Sequence, residues 1–475
     1  MTKKKTASKV ATPSKQWSYL LSDRRLGSIK KYKKKEKSRT PFHKDYDRLI
    51  FSHSFRQLNQ KTQVHPLTNQ LGIHTRLTHS LEVSCIGRSL GMRAAEKLHE
   101  HLSNGLPRGI SVADVGVIVQ AACLAHDIGN PPFGHAGEYA IRDWFHHANQ
   151  AKLLQHIPAH QRWDLLGYEG NAQGFRLLTR NEHHPNQGGM RLTCATLGAF
   201  MKYPWLAAHS NGKQQHNQQS QTGLNIQKYG CFASEEKQLH DLAAQLHLPI
   251  SPIHDGYARH PLAYLLEAAD DICYALIDLE DGIHLRMLPY AEVEALMLSL
   301  IGKRGIPPEV KNNAPIAQKL AALRGRAMMR LVDKVSEAFI RHGSELLAGT
   351  LQSSLFDYCQ ADVRDGIAAA KHLAQEQIFA HSDKIRMELM ANRCLQTLLS
   401  AFMPLALLPQ SNQPADFEQQ HLLRLIGSHL HQNHRILDDD VYHNTLNILD
   451  FITGMNDHEA YRLAQELSGS HSAGW

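Results

Sequence analysis

Among the 32 histidines of this 475-residue chain, only a few stand where an imidazole would be costly to bury without a purpose. His126 and Asp127 are adjacent in ACLAHDIGNPPFGH, at the end of an apolar segment that predicts a buried helix. A buried imidazole beside a buried carboxylate is unfavourable unless a partner or a metal compensates. The dipeptide alone carries little, since His-Asp recurs at 240–241 and 254–255; the apolar context singles out the first pair. A hydrogen-bonded core histidine would explain His126 equally well by itself. Two further positions shift that balance: His79, in HTRLTHSLEV, and Asp270, in LLEAADDICYALID, each a polar residue in an apolar helical pattern. Asp270, Tyr274 and Asp278 fall at i, i+4 and i+8, on one helix face. His79, His126, Asp127 and Asp270 make a two-nitrogen, two-oxygen ligand set suited to Mn, Fe, Co, Ni or Zn, with positions open for water and substrate.

Three helices must position these groups. One is predicted from about Arg76 to Leu102, with Leu77, Leu81, Ile86, Leu90, Ala94 and Leu98 along one side. A second opens at Ser111, with Asp114 completing a capping-box pattern, carries Val115, Val119, Ala122 and Leu124, and stops at Gly129-Asn130-Pro131-Pro132. A third starts at Pro261, a residue suited to a first helical turn, and runs through LAYLLEAADDICYALIDLEDGI. Strictly alternating Val, Ile and Thr are scarce throughout, so the expected fold is all-α. The stretch from His209 to Gly223, rich in Gln, Asn, Ser and His, is expected to be a flexible loop. After about 290 the amphipathic pattern continues without a cluster of chemical groups, which places the expected chemistry before that point.

With 42% hydrophobic and 20% charged residues, the chain is neither a disulfide-stapled mini-protein nor wholly disordered. Its formal charge of +7 is unevenly spread: residues 1–40 hold 14 Lys and Arg against 2 Asp and Glu, leaving the remainder at −5. Residues 1–40 therefore read as a basic, flexible arm, and a solubility tail or a nucleic-acid-binding arm explains it equally well. Seven scattered cysteines without a C-x-x-C pair favour a reducing compartment over a zinc-thiolate site. The sequence shows neither a signal-peptide pattern nor an apolar run of membrane-spanning length, so a soluble, cytoplasmic protein without membrane association is expected.

Longer strings carry a resemblance. FRQLNQKTQVHPL at 55–67, TRLTHSLEV at 75–83, AHDIGNPPFGHAGE at 125–138, EGNAQGFRLL at 169–178, KYG at 228–230 and HPLAYLLEAADDICYALIDLEDGI at 260–283 follow one another as in the HD-domain metal-dependent phosphohydrolases. The chain resembles in particular the deoxyguanosinetriphosphate triphosphohydrolases (dGTPases). That resemblance implies an HD-domain helical fold at 41–290 with additional C-terminal helices at 291–475, the latter used for oligomerisation or regulation. It implies His79, His126, Asp127 and Asp270 as ligands of a divalent metal ion, with Mn, Mg, Fe, Co, Ni and Zn all open. His135 and Glu138 match the family's catalytic His and its supporting Glu; without the motif they would read as a surface i,i+3 pair. Gln63 is implied to face sugar or base, Arg56 to contact phosphate or support the site, and Lys202, Tyr203 and Lys228 to contact a triphosphate. Tyr274 and Asp278 take the sugar positions, while Asn171 either orients a loop near the metal or caps a helix.

The activity so implied is metal-dependent hydrolysis of deoxynucleoside triphosphates to deoxynucleoside and triphosphate, by a homo-oligomer. An HD phosphohydrolase of nucleoside monophosphates or cyclic nucleotides would need the same four ligands but release a different product. A nucleotide- or nucleic-acid-binding regulator, with turnover secondary, would rely on the basic arm. The remaining histidines, among them His53, His65, His74, His146, His147, His183 and His184, read as surface or structural groups.

Overall fold

The computed structural model describes residues 13–27, 39–63, 74–147, 150–181, 189–210, 228–302, 307–312, 314–411, 414–429 and 437–470. The lysine cluster of the arm, His65, His183, His184 and all but the first two residues of the 209–223 stretch lie outside the described residues. Among those described, helices dominate, strands are absent and β-structure is confined to isolated bridges such as Arg25 with Thr193 and Thr62 with Thr75. No helix among them is long and apolar enough to cross a membrane.

The helices that bear on the site are, in chain order, α1 (Pro13–Leu20), α2 (Pro41–Ile50), α3 (His53–Arg56), α4 (Arg76–His101), α5 (Val112–Ala125), α6 (His135–His146), α7 (Gly170–Arg176), α8 (Cys194–Phe200), α9 (Pro261–His284), α10 (Ile316–Arg341), α11 (Ser382–Phe402), α12 (Val441–Gly454) and α13 (Asp457–Leu467). The cap expected at Ser111 and the proline expected at the start of α9 are present, and the structure adds a capping box at α4. Ser111 and Asp114 form a reciprocal capping box at the start of α5, Thr75 and Thr78 another at α4, and Pro261 occupies the first turn of α9. From Asp114 to Ala125 every residue of α5 is buried, which is why its apolar pattern covers more than one face. Its closest neighbour is α4, where a Cβ on Gly91 would stand 3.0 Å from the Cα of Gly116. Two glycines meeting there let the two backbones approach directly.

Buried apolar residues form two clusters. The first gathers α4, α5, α8, α9 and α10 around Leu90, Ile118, Leu265 and Leu331. The second joins α6 to the C-terminal helices through Trp144, Phe145, Leu395, Phe402 and Ile452. A boundary near 290 is therefore not a seam in the packing, because residues 133–172 share a core with residues 391–464. Arg176 ties the same halves together. Its fully buried guanidinium donates to Asp450 (2.8 Å), Glu235 (2.9 Å) and Asn447 (3.1 Å), which offsets the cost of burying the charge.

The amino-terminal segment differs from the expected flexible arm within its described part. Trp17, Leu20, Leu21 and Leu26 are buried in the first core, and the Leu20 carbonyl accepts from the His260 ring nitrogen at 3.0 Å. Arg25 pairs with the fully buried Asp45 at 2.6 Å, and Asp45 in turn accepts from the Thr193 amide and hydroxyl. Lysine density across residues 1–40 had masked this apolar stretch, WSYLL, whose burial pays no heed to the charge around it.

Candidate active site

Four elements converge on the histidine-aspartate cluster. The capping box at Thr75 starts α4 so that His79 lies one turn in, and α5 ends at Ala125 with His126 as its C-cap. Nδ1 of His126 donates to the Cys123 carbonyl at 2.7 Å, leaving Nε2 turned toward the carboxylates. That Nε2 stands 3.6 Å from Asp127 Oδ1 and 3.5 Å from Asp270 Oδ1, while His79 Nε2 is 3.2 Å from Asp270 Oδ1. Ligand atoms of His79, His126 and Asp127 all lie within 4.8 Å of one another. Asp270, from the middle of α9, reaches both imidazoles with Oδ1 but gives Oδ2 to Lys202 Nζ at 2.9 Å.

The neighbours of these buried groups offset the effect of burial on each of them. Burial disfavours the His126 imidazolium, yet Asp127 and Asp270 outweigh it and raise its pKa. Burial likewise works against the Asp127 carboxylate, but the Arg76 guanidinium, 2.8 Å away, brings its pKa below the usual value. For Asp270 the ammonium of Lys202 overcomes burial and holds the carboxyl well below the ordinary range. Asp127 Oδ1 accepts from both Arg76 and Asn130, whereas its buried Oδ2 has no hydrogen-bond partner among the described residues. An orphaned carboxylate oxygen beside two imidazole nitrogens is the donor set a divalent transition metal needs, so these residues fit such an ion.

Beside this cluster, His135 opens α6 with a side chain 70% exposed, and its Nδ1 donates to Glu138 Oε2 at 2.9 Å. Glu138 is buried, and its Oε1 accepts from the Gly170 amide at 2.8 Å. Burial pushes the Glu138 carboxyl up, but His135 and Arg142 more than reverse this and bring it down to about 2. Gly170 has to be a glycine: a Cβ there would meet Asn130 Oδ1 at 2.7 Å and Glu138 Oε1 at 2.8 Å. His135 lines an open cleft of about 150 Å³, together with Thr62, Gln63, Arg76 and Phe133 and, from later in the chain, Phe379, Lys384 and Glu388. The Tyr274 ring lies parallel to Phe379, with centroids 5.7 Å apart and an interplanar angle of 11°.

An HD domain pattern matches residues 76–173, the stretch that carries His79, His126, Asp127, His135 and Glu138. Over 459 residues the chain is 44% identical to a deoxyguanosinetriphosphate triphosphohydrolase-like protein of Pseudomonas aeruginosa, covering 96% of this chain and 99% of the relative. The chain belongs to the dGTPase-like family of HD-domain proteins. A dGTPase-like protein of Synechocystis is 37% identical over 460 residues, with the same coverage of both chains. A protein of Salmonella paratyphi A named deoxyguanosinetriphosphate triphosphohydrolase is 30% identical over 482 residues, covering 88% of this chain and 91% of that one.

The remaining expected site residues of this dGTPase-like chain differ in their surroundings. Lys228 has an exposed side chain, and Tyr203, then Glu169 and Glu138, raise its pKa. Tyr203 packs edge-on against Trp205 at 5.6 Å, beside the 201–206 turn that also presents Lys202. Gln63 faces the cleft with a buried Oε1 that lacks a partner among the described residues. Arg56, at the end of α3, is exposed and takes no part in the ion pairs of the cluster. Asn171 donates to Glu169 at 2.6 Å, and the N-cap of α7 is Glu169, so Asn171 is not the cap. The lining of the cleft extends past 290, to Phe379, Lys384 and Glu388. Arg76 and Asn130 are further site residues that sequence reasoning passed over, although both lie inside the strings that carry the resemblance.

Asp278 is buried with an unpartnered Oδ1, and burial pushes its carboxyl up to about 7. An acid whose folded pKa is raised stabilises the fold at low pH and loses that contribution as pH rises through the folded value. Asp278→Asn is therefore expected to raise the melting temperature of chelator-treated protein at pH 8 and to change it little at pH 4. Thermal melts across this range check it; a lower melting temperature for the variant at pH 8 would contradict the assignment.

Proposed function

We propose that this dGTPase-like protein hydrolyses deoxynucleoside triphosphates, dGTP among them, to deoxynucleoside and triphosphate, using a divalent metal held by His79, His126, Asp127 and Asp270. The observation that carries the reading is the cluster of His79, His126 and Asp127, with its orphaned carboxylate oxygen, next to an exposed His135 held by a buried Glu138. Bound there, a divalent ion supplies Lewis-acid polarisation of a phosphoryl oxygen.

The other tasks fall to the chain's own side chains. Glu138 accepts the Nδ1 proton of His135 and so fixes the tautomer that leaves Nε2 free to take up or deliver a proton in the cleft. Gly170 and Arg142 hold that carboxylate in place. A triphosphate carries about four negative charges near neutrality and needs local cations. Lys202, Lys228, Arg76 and Lys384 supply them around an otherwise mildly acidic body. Gln63 offers an unused polar atom for sugar or base.

Tyr274 and Asp278 read the sugar in this account, with the Tyr274 ring, braced by Phe379, standing where a ribose 2′-hydroxyl would clash. Tyr274→Ala is expected to raise the rate on GTP relative to dGTP by roughly 10-fold. Competition between the two nucleotides measures this, and an unchanged ratio would remove the steric role. The reading as a whole is tested by supplying metal-reconstituted protein with each of the four deoxynucleoside triphosphates, and separately with nucleoside monophosphates. Turnover of at least one triphosphate, abolished by chelator, is expected. Hydrolysis of monophosphates alone would replace it with the rival phosphohydrolase.

A further inference from the structure

The turn that delivers His135 to the cleft is conformationally unusual. Phe133 has φ of +63°, a left-handed backbone that a bulky L-residue adopts only when its surroundings impose it, and Gly134 follows at +59°. What holds Phe133 comes from the far end of the chain. Its amide donates to Asp457 Oδ1 at 2.7 Å, and Asp457 is fully buried at the first position of α13. The other oxygen, Oδ2, accepts from the Thr62 amide at 3.0 Å and from the Thr62 hydroxyl at 2.5 Å. One carboxylate thus binds two cleft-wall residues, Thr62 and Phe133, that are 71 positions apart in the chain.

Lys61 makes a second tie. Its buried ammonium donates to the carbonyl of Asn130, in the loop after Asp127, at 2.8 Å and to that of Thr453, in the last turn of α12, at 2.6 Å. Burial brings its pKa down to about 7, while the nearby Asp457 carboxylate works in the opposite direction. The start of a helix further favours a carboxylate at Asp457. None of these groups reaches the metal ligands directly.

We infer that Asp457, supported by Lys61, is a positioning residue: it locks the Phe133-Gly134 turn and the Thr62 wall so that His135 is presented to the substrate. The inference rests on the proposed hydrolysis, in which His135 moves the proton. It assigns to the carboxy-terminal helices a part in the reaction itself.

The test is Asp457→Asn in the full-length, metal-reconstituted chain. An amide has one acceptor oxygen where the carboxylate has two, so Thr62 and Phe133 cannot both be satisfied. Displacing a catalytic group by about 1 Å costs around 10²-fold, so kcat on the best deoxynucleoside triphosphate should fall by about that factor with KM little changed and metal content intact. Amide hydrogen exchange should rise by about 10-fold or more at residues 130–136 and 60–63, and remain as in the parent along α4 and α5. Thr62→Val, which removes only one of the three donors, should show the same local pattern more weakly, and it decides the matter if the Asn variant does not fold. A uniform rise in exchange across the chain, or local loosening with kcat unchanged, would overturn the inference. If the parent turned over no triphosphate, the functional reading would fail while the exchange pattern still tested the latch.

Discussion

Replacing His126 with alanine is expected to abolish hydrolysis of every deoxynucleoside triphosphate and to strip the protein of its metal. Loss of a group that merely supports a ligand typically costs about 10- to 100-fold in metal affinity or activity, so loss of a ligand should exceed about 10²-fold. The geometry gives two reasons. His126 Nε2 sits between Asp127 and Asp270, and its Nδ1 bond to Cys123 fixes the ring so that no other side chain can substitute. Removing it also takes away the imidazole between the buried carboxylates of Asp127 and Asp270, although Arg76 and Lys202 still partner them. The fold should therefore survive. Metal content by elemental analysis, turnover and a thermal melt of the same preparation check all three statements, and a variant that keeps both metal and turnover would dismiss the ligand assignment.

The second large effect concerns Glu138. Glu138→Gln is expected to lower kcat by about 10²- to 10⁴-fold, the range in which general acid-base groups contribute, with the metal retained. Glutamine can still accept from His135, but it no longer stabilises the imidazolium that forms when His135 takes a proton. The carboxyl of Glu138 is depressed to about 2 from an ordinary value near 4.5. A depressed acid contributes stability above its unfolded pKa and loses it as pH falls through the folded one. The parent should accordingly lose stability between about pH 4.5 and pH 2 in a step that the variant lacks. Rates at neutral pH and acid melts of both proteins measure the two effects. Activity within a few-fold of the parent would show that His135 needs no carboxylate behind it.

The site was legible where local pattern and burial coincide. His126 follows an apolar helix with a capping box at one end and a Gly-Asn-Pro-Pro stop after it, and those signals alone predicted where it would emerge. The i, i+4, i+8 spacing of Asp270, Tyr274 and Asp278 likewise anticipated one face of α9. What it could not reveal was how differently the three would be used: Asp270 meets the imidazoles, Tyr274 stacks on Phe379 and Asp278 is buried.

The cleft residues beyond 290 cannot be read from local sequence, for a physical reason. Phe379, Lys384 and Glu388 lie in and around an amphipathic helix whose composition suits any solvated surface, and only tertiary packing brings them to the cleft. Asp457 hid behind its neighbours. Asn456 and Glu459 form an ordinary capping box, so a first-turn aspartate between them looks like a residue placed for the helix dipole. Its bonds to Thr62 and Phe133 span more than 300 residues of sequence, and no local pattern encodes contacts of that range. In the amino-terminal segment, charge averaged over residues 1–40 conceals Trp17 and Leu20, which are buried.

On the proposed reading, the cluster of His79, His126, Asp127 and Asp270 serves hydrolysis of the bond between the sugar O5′ and the α-phosphorus, which releases the triphosphate intact. Phosphorus NMR of the products from metal-reconstituted protein and dGTP tests it most directly. The resonances of free tripolyphosphate are expected, with an equal amount of deoxyguanosine found by chromatography of the same mixture. Pyrophosphate with deoxynucleoside monophosphate, or orthophosphate alone, would contradict it.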